Sequence, residues 1–241
     1  MISVLPVEGL PEIRVGDDLG AMIASAAKLC AGDVVVVAQK AVSKAEGRIV
    51  RLDEVAPSQR ARELAGEGSD LRQLEVILGE SARVVRSRAG LVIAETRHGF
   101  VCASAGVDHS NAEAGTVILL PLDPDASARA IRATLAATTG IECAVIVTDS
   151  FGRPFRKGTT DIAIGVAGLA PLLDLRGSVD RSGRPLRSTQ VALADEIAAA
   201  ADLVRTSKAD GLPVVIVRGV RLEGDGAASE LVIPAERDLF R

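Results

Sequence analysis

The chain has 241 residues, with 28 Lys or Arg against 32 Asp or Glu and a formal net charge of −4. That balance draws no phosphate backbone to the surface at large, and without Trp or Tyr the chain lacks aromatic platforms for stacking single-stranded bases, so nucleic acid is excluded as a general partner. Apolar residues make up 48% of the sequence, enough for one large core or two intergrown small ones built mainly from Val, Leu, Ile and Ala.

The first residues carry neither the basic stretch nor the apolar segment of a signal peptide. No apolar run approaches the roughly 18 residues that span a bilayer. A soluble, cytoplasmic protein without a membrane partner is expected. Asp17 and Asp18 can cap a helix over residues 19–29. The run 34–37 is continuous Val, which is how a strand buried on both faces reads. Residues 58–80 are charged and are expected to be helical and peripheral. From 83 to 120, with apolar runs at 91–94 and 117–120, the pattern reads as consecutive strands of a mixed or antiparallel sheet.

Asp123-Pro124 is a strong start signal for a helix over 125–138. Residues 144–147 read as another buried strand, followed by a Gly/Arg-rich loop at 152–158. A second such loop spans 176–187. Ser188 or Thr189 can cap the longest helix, from Gln190 to about Val204, whose apolar face Val191, Ala194, Ile197, Ala198 and Ala201 follows the 3.6-residue period. Asp195 and Glu196 fall on its solvated side. Residues 214–217 form the last strand. The polar tail 223–241 reads as a linker or a truncated junction, leaving 1–222 as the main domain. Cys30, Cys102 and Cys143 show no metal-ligand or disulfide spacing and read as buried, reduced small hydrophobes. The fold class is α/β with an α+β character, in which mixed, largely antiparallel sheets carry flanking helices. It is neither P-loop nor Rossmann, because GxxxxGK[ST] and a strand-following GxGxxG are both absent.

Three segments carry candidate chemistry. Residues 148–161 begin at the end of an apolar strand, where α/β proteins place their sites. Asp149 and Ser150 are hard oxygen donors of the kind Mg²⁺ or Mn²⁺ takes, and Arg153, Arg156 and Lys157 add three cations within five residues. The alternative is a Gly-rich turn with solvated charges. In 105–111, Asp108 and Asn111 are either oxygen donors for a ligand or the parts of an Asx turn, and His109 reads as an exposed loop residue. In 39–48, two lysines, Ser43 and Arg48 after a buried strand suit anionic phosphates, or are ordinary surface charge.

The blocks LPVEGLPEI, GDVVVVAQKAVSKAEGR, ETRHGFVCASAGVDHSN, TDSFGRPFRKGTTDIAIG and ADEIAAAADLV occur in the order found in coenzyme F-420-0:L-glutamate ligases. From about residue 3 to 220 the chain resembles that family, either as a free-standing ligase or as the N-terminal ligase domain of its two-domain version. The resemblance implies the family's own ligase fold and GTP-dependent addition of L-glutamate to coenzyme F-420-0 through an acyl phosphate, releasing GDP and phosphate. It also implies Mg²⁺ or Mn²⁺, two per site, with K⁺ as a further cation, and a homodimer.

Carried over position by position, Leu10, Pro11, Glu12 and Ile13 match a loop that touches the guanine nucleotide. Lys44 and Asn111 match nucleotide contacts, and Gln39 stands where other members carry a small hydroxyl residue. Asp108 and Asp149 match the carboxylates of one divalent metal, and Ser150 matches a ligand of a second. Thr206, Ser207 and Lys208 fall where the family contacts nucleotide and the second metal, although the Gly that members often carry there is missing. Arg153 and Arg156 are the candidates for stabilising the transferring phosphoryl group. The rival readings are another metal-dependent phosphoryl-transfer enzyme, which turns over nucleotide without glutamate, and a non-catalytic nucleotide-binding module, which binds without turnover.

Overall fold

The computed structural model describes residues 1–205 and 211–239. Strand β1 (Ser3–Pro6) leads through a long loop to helix α1 (Leu19–Ala26), whose first turn is capped by the Asp18 carboxylate accepting the Ala21 N–H at 3.0 Å. The helix stops three residues short of the expected Leu29, because Ala27 is extended. The Val run is β2 (Val34–Ala38), and helix α2 (Gln39–Ala45) follows it without a loop. Strand β3 (Ile49–Arg51) comes next. The charged stretch then divides into α3 (Gln59–Leu64) and α4 (Leu71–Glu80), capped by Ser58 and Asp70. Three strands follow, β4 (Ser81–Arg88), β5 (Leu91–Thr96) and β6 (Val101–Ala103), paired antiparallel in that order. Strand β7 (Thr116–Ile118) pairs antiparallel with β3; it is shorter than the 117–120 run, although Leu119 and Leu120 remain buried.

Helix α5 (Pro124–Thr139) has Asp123 as its N-cap, Pro124 in its first turn and Gly140 in the left-handed conformation (φ +69°) at its end. Strands β8 (Ala144–Gly152) and β9 (Thr159–Ala167) form a long hairpin. The short pair β10 (Leu173–Asp174) and β11 (Gln190–Val191) precedes helix α6 (Leu193–Asp202) and strand β12 (Val214–Arg218). The start of α6 corrects the sequence reading. Gln190 and Val191 lend their backbone to the ladder with β10, so the helix begins at Leu193 and neither Ser188 nor Thr189 caps it. At 16 residues, α5 rather than α6 is the longest helix.

The central sheet has the order β1-β12-β2-β8-β9, with only β2 and β8 parallel, so the mixed, mostly antiparallel architecture agrees with the sequence pattern. Both faces are buried, which is why its strands are continuously apolar. Val35, Val37, Val145, Val147 and Ile216 face α1 and α5, where Ile23 and Leu135 pack. Val34, Val36, Ile146, Val215 and Val217 face Ala194, Ile197 and Ala201 of α6. A separate core joins α3 and α4 to β5 and β7 through Leu64, Leu74, Ile77, Val92 and Val117, so the stretch 58–80 is more than peripheral.

Asp195, expected on a solvated face, is half-buried and accepts the Ala163 N–H at 2.9 Å, tethering α6 to β9. Burial raises its pKa, with that hydrogen bond opposing. The tail packs back onto the body at two points. Asp225 accepts the Gly168 N–H at 2.8 Å, and the N–H of buried Ala228 donates to Asp125 at 2.8 Å. Cys102 and Cys143 are buried, whereas Cys30 is exposed, contrary to expectation, because it lies in the turn just before β2. Among the described residues no helix is long and apolar enough to cross a membrane.

Ile146 is fully enclosed at the centre of the sheet. Ile146→Ala is expected to cost about 2–5 kcal/mol, from lost transfer energy plus the cavity left behind. Thermal unfolding should be followed by far-ultraviolet circular dichroism, since the chain has no Trp or Tyr to report by fluorescence. An unshifted midpoint would mean that the sheet can collapse around the gap.

Candidate functional site

The parallel pairing of β2 with β8 sets the register Ala38↔Thr148. Gln39-Lys40, which open α2, and Asp149-Ser150, which lie on β8 where it runs on past β2, are therefore at the same end of this strand pair. A third segment is pinned beside them, because Asp108 and Ile118 exchange backbone hydrogen bonds of 2.9 and 2.7 Å. These elements surround a cleft of about 690 Å³. Leu10, Pro11, Glu12, Ile13, Gln39, Lys44, Asp108, Asn111, Asp149 and Ser150, residues from four separate stretches of sequence, all line it.

Its electrostatics are uneven. Lys40 Nζ lies 2.6 Å from Asp108 Oδ2 and donates to Ser110 Oγ at 2.7 Å. The Ser110 N–H donates to Asp108 Oδ1 at 2.6 Å, so this segment contains the Asx turn that the sequence suggests. Burial alone would raise the Asp108 pKa, but the hydrogen bonds and charge of Lys40 and the Ser110 N–H outweigh it and hold the carboxyl below its ordinary value. Asp149 has no ion-pair partner among the described residues. Burial pushes its carboxyl up to about 7, with the Asp108 and Asp161 charges adding to the rise and the Ser150 N–H and Lys40 opposing it. Burial and the nearby Asp149 charge raise the Cys102 thiol to about 12, which removes this cleft residue as a nucleophile near neutral pH.

A pair of neighbouring carboxylates, one of them without a direct ion pair among the described residues, fits a hard divalent cation. Asp108 and Asp149 would supply its carboxylate oxygens, and the exposed Ser150 offers a hydroxyl oxygen beside them. Among the described residues no three His, Cys, Asp or Glu side chains form a ready cluster. Such a cation would complete its shell from phosphate oxygens and water, as Mg²⁺ commonly does.

Other candidate residues fall differently. Lys44 is ion-paired with Glu12 at 2.6 Å, joining α2 to the loop 10–13. The Gln39 amide nitrogen is consumed inside the protein by Ser43 Oγ (2.7 Å) and the Leu119 carbonyl (2.9 Å). Arg153 and Arg156 are not brought to the cleft by this chain. They sit exposed on the β8–β9 hairpin tip, where Arg153 donates to the Lys157 carbonyl at 2.7 Å and Phe155 is 91% exposed with φ +60°. The hairpin lines the cleft with its strands, up to Gly152 and Thr159, and not with its tip. Thr206, Ser207 and Lys208 lie outside the described residues, although Arg205 and Gly211 on either side line the cleft. His109 is exposed, in keeping with a loop residue, and His98 stacks on Phe100 with its Nε2 2.9 Å from the Pro121 carbonyl.

Two cleft residues, Asp161 and Arg205, have no role in the sequence reading, and a third, Lys40, figures there only as one of the two lysines of 39–48. The structure separates the two lysines, pairing Lys40 with Asp108 and Lys44 with Glu12. Asp161 closes the 148–161 segment, yet only the strand register puts it opposite Ser150. Arg205 is 57 residues from Thr148, to which it hydrogen-bonds at 3.1 Å.

The fold and this cleft define an α/β enzyme scaffold with oxygen donors and lysines gathered at one end of a mixed sheet. The family model described as F420-0:gamma-glutamyl ligase matches residues 9–219. Over its full length the chain is 47% identical to the coenzyme F420:L-glutamate ligase of Methanothermobacter thermautotrophicus and 46% identical to that of Methanopyrus kandleri, covering 99% of each. It is 43% identical to the Archaeoglobus fulgidus protein of the same name, again over the whole chain and 96% of the relative. The chain belongs to the F420-0:gamma-glutamyl ligase family and is a ligase.

Proposed function

We propose that this chain joins L-glutamate to coenzyme F-420-0 at the expense of GTP. The observation that carries the reading is the convergence of ten candidate residues, from four separated stretches of sequence, on one cleft. A carboxylate does not condense with an amine at neutral pH without activation. The γ-phosphoryl group of GTP passes to the acceptor carboxylate, giving an acyl phosphate and GDP. The glutamate amine then attacks the acyl carbon, phosphate leaves with the bonding pair, and the amine proton is lost to solvent.

The protein's part is positioning and charge placement. The loop 10–13, Lys44 and Asn111 hold the nucleotide. Asp108 and Asp149 hold one divalent cation, Mg²⁺ or Mn²⁺, and Ser150 is offered to a second. Bound there, the cations neutralise charge across the phosphates. Lys40, on Asp108, adds a positive charge beside the same carboxylate and is a further candidate for a phosphate contact. The protein works as a cytoplasmic homodimer in this reading, with Val179 and Leu173 among its exposed apolar side chains.

The test incubates the protein with F-420-0, GTP and Mg²⁺, with and without L-glutamate, and reads products by mass spectrometry. A glutamyl-extended deazaflavin and matching GDP are expected only when all components are present. Nucleotide turnover without glutamylation would instead identify a phosphatase or kinase, and binding without turnover an inert nucleotide-binding module. ATP in place of GTP, followed by the same products, checks the choice of base.

A further inference from the structure

Beneath the carboxylate pair runs a chain of hydrogen bonds whose polarity can be worked out from donor counts alone. Strands β8 and β9 pair with Ser150 opposite Asp161, and Asp161 is 5% exposed. Its Oδ1 accepts from Ser150 Oγ at 2.6 Å. Its Oδ2 accepts from Thr148 Oγ1 at 3.1 Å and from Arg205 Nη1 at 3.0 Å. Arg205 Nη1 also donates to Thr148 Oγ1 at 3.1 Å, while Nη2 donates to the carbonyls of Val36 (3.1 Å) and Pro213 (3.2 Å).

Arginine has donors and no acceptor, so the Thr148 oxygen receives the guanidinium and sends its single proton to Asp161. A carboxylate that holds a guanidinium accepts, so the single proton of Ser150 also turns inward to Asp161. What Ser150 shows the cleft is then lone pairs only. A hydroxyl in that state coordinates a hard cation and has no proton left for a phosphate oxygen.

We propose that Asp161 is a positioning residue that fixes the Ser150 hydroxyl with its proton inward, making it a cation ligand rather than a phosphate donor. Arg205 balances the charge of Asp161 in the buried layer and ties it to the middle of β2 and to Pro213, just before β12. The proposal rests on the reading of Ser150 as a divalent-cation ligand.

Asp161→Asn tests it with little change of volume. The guanidinium holds the amide oxygen on its own side, which leaves the amide NH₂ facing Ser150. Ser150 must then accept, and its proton swings into the cleft. Mn²⁺ is titrated calorimetrically into the full chain with GDP present, for wild type, Ser150→Ala, Asp161→Asn and the double variant. Asp161→Asn is expected to weaken Mn²⁺ binding by about 10-fold or more, in the range for partners that orient a metal ligand. The double variant should bind no more weakly than Ser150→Ala alone, because Asp161 acts through that hydroxyl.

If Ser150→Ala weakens Mn²⁺ binding and Asp161→Asn does not, the positioning role is wrong and the cation reading stands. Losses that multiply in the double variant also overturn it, since Asp161 would then act by another route. Wild-type affinity in Ser150→Ala would overturn the cation reading of Ser150 itself. Should Asp161→Asn fail to fold, neutron diffraction from crystals of the wild-type chain decides the point. A deuteron on Ser150 Oγ directed at Asp161 is expected, and one directed into the cleft refutes the proposal.

Discussion

Asp149→Asn is expected to lower ligase turnover by about 10³-fold, since loss of a carboxylate that shares a divalent cation removes several kcal/mol of charge stabilisation across the transferring phosphates. The same change should leave the fold intact or make it more stable. Asp149 lies partly buried within β8, without an ion pair among the described residues, and burial with two neighbouring carboxylates pushes its pKa up from 3.8 to about 7. A folded-state pKa above the unfolded one means that the folded protein binds more protons between those values. Stability contributed by the protonated group is therefore lost as pH rises from about 4 through about 7. Asparagine has no such charge to bury. With a chelator present, the Asp149→Asn protein should unfold at a higher temperature than wild type above pH 7, and the difference should shrink as pH falls towards 4. Near-normal turnover at ordinary Mg²⁺ would sink the metal assignment. Equal pH dependence of the two melting curves would show that Asp149 is not held against its charge.

The difference between what was legible in the sequence and what was not follows the range of the interactions. The Val run of β2 and the apolar start of β8 announced themselves because a strand buried on both faces has no polar face to hide it. Asp123-Pro124 and Gly140 marked the ends of α5 for local reasons of capping and backbone conformation. The start of α6 was missed because Gln190-Val191 is helical by pattern but is claimed by a strand, β10, sixteen residues earlier. In the site, Asp108, Asp149 and Ser150 stood out through residue type at strand ends, and the family resemblance gave them roles. The Asp161–Arg205 pair was invisible to both, since it depends on the β8–β9 register and on a contact between residues 44 positions apart. Asp195 looked solvated because its neighbour Glu196 is, and only the docking of α6 on β9 shows otherwise.

Arg156→Lys is expected to lower kcat by about 10²-fold, near 2.7 kcal/mol, with a smaller change in KM for GTP, if Arg156 stabilises the transferring phosphoryl group. Lysine keeps the charge but loses the planar fork that can pair two oxygens at once. The geometry adds a constraint that the sequence did not. Arg156 stands on a solvent-exposed hairpin tip, while the hairpin's base lines the cleft, so in this chain alone the guanidinium is not aimed at the carboxylate pair. If the proposed homodimer sets the tip of one copy against the cleft of the other, each site takes Arg156 from the partner copy. Complementation then follows from symmetry. Arg156→Ala and Asp149→Asn proteins, each nearly inactive alone, should recover about a quarter of wild-type activity when unfolded, mixed in equal amounts and refolded, because half the dimers are mixed and each has one complete site. A mixture that stays inactive, with mixed dimers verified by native mass spectrometry, would place Arg156 over its own chain's cleft through a closing hairpin. An Arg156→Lys protein with unchanged kcat and a raised KM for the deazaflavin alone would move Arg156 to the acceptor, where a guanidinium recognises that substrate's phosphodiester.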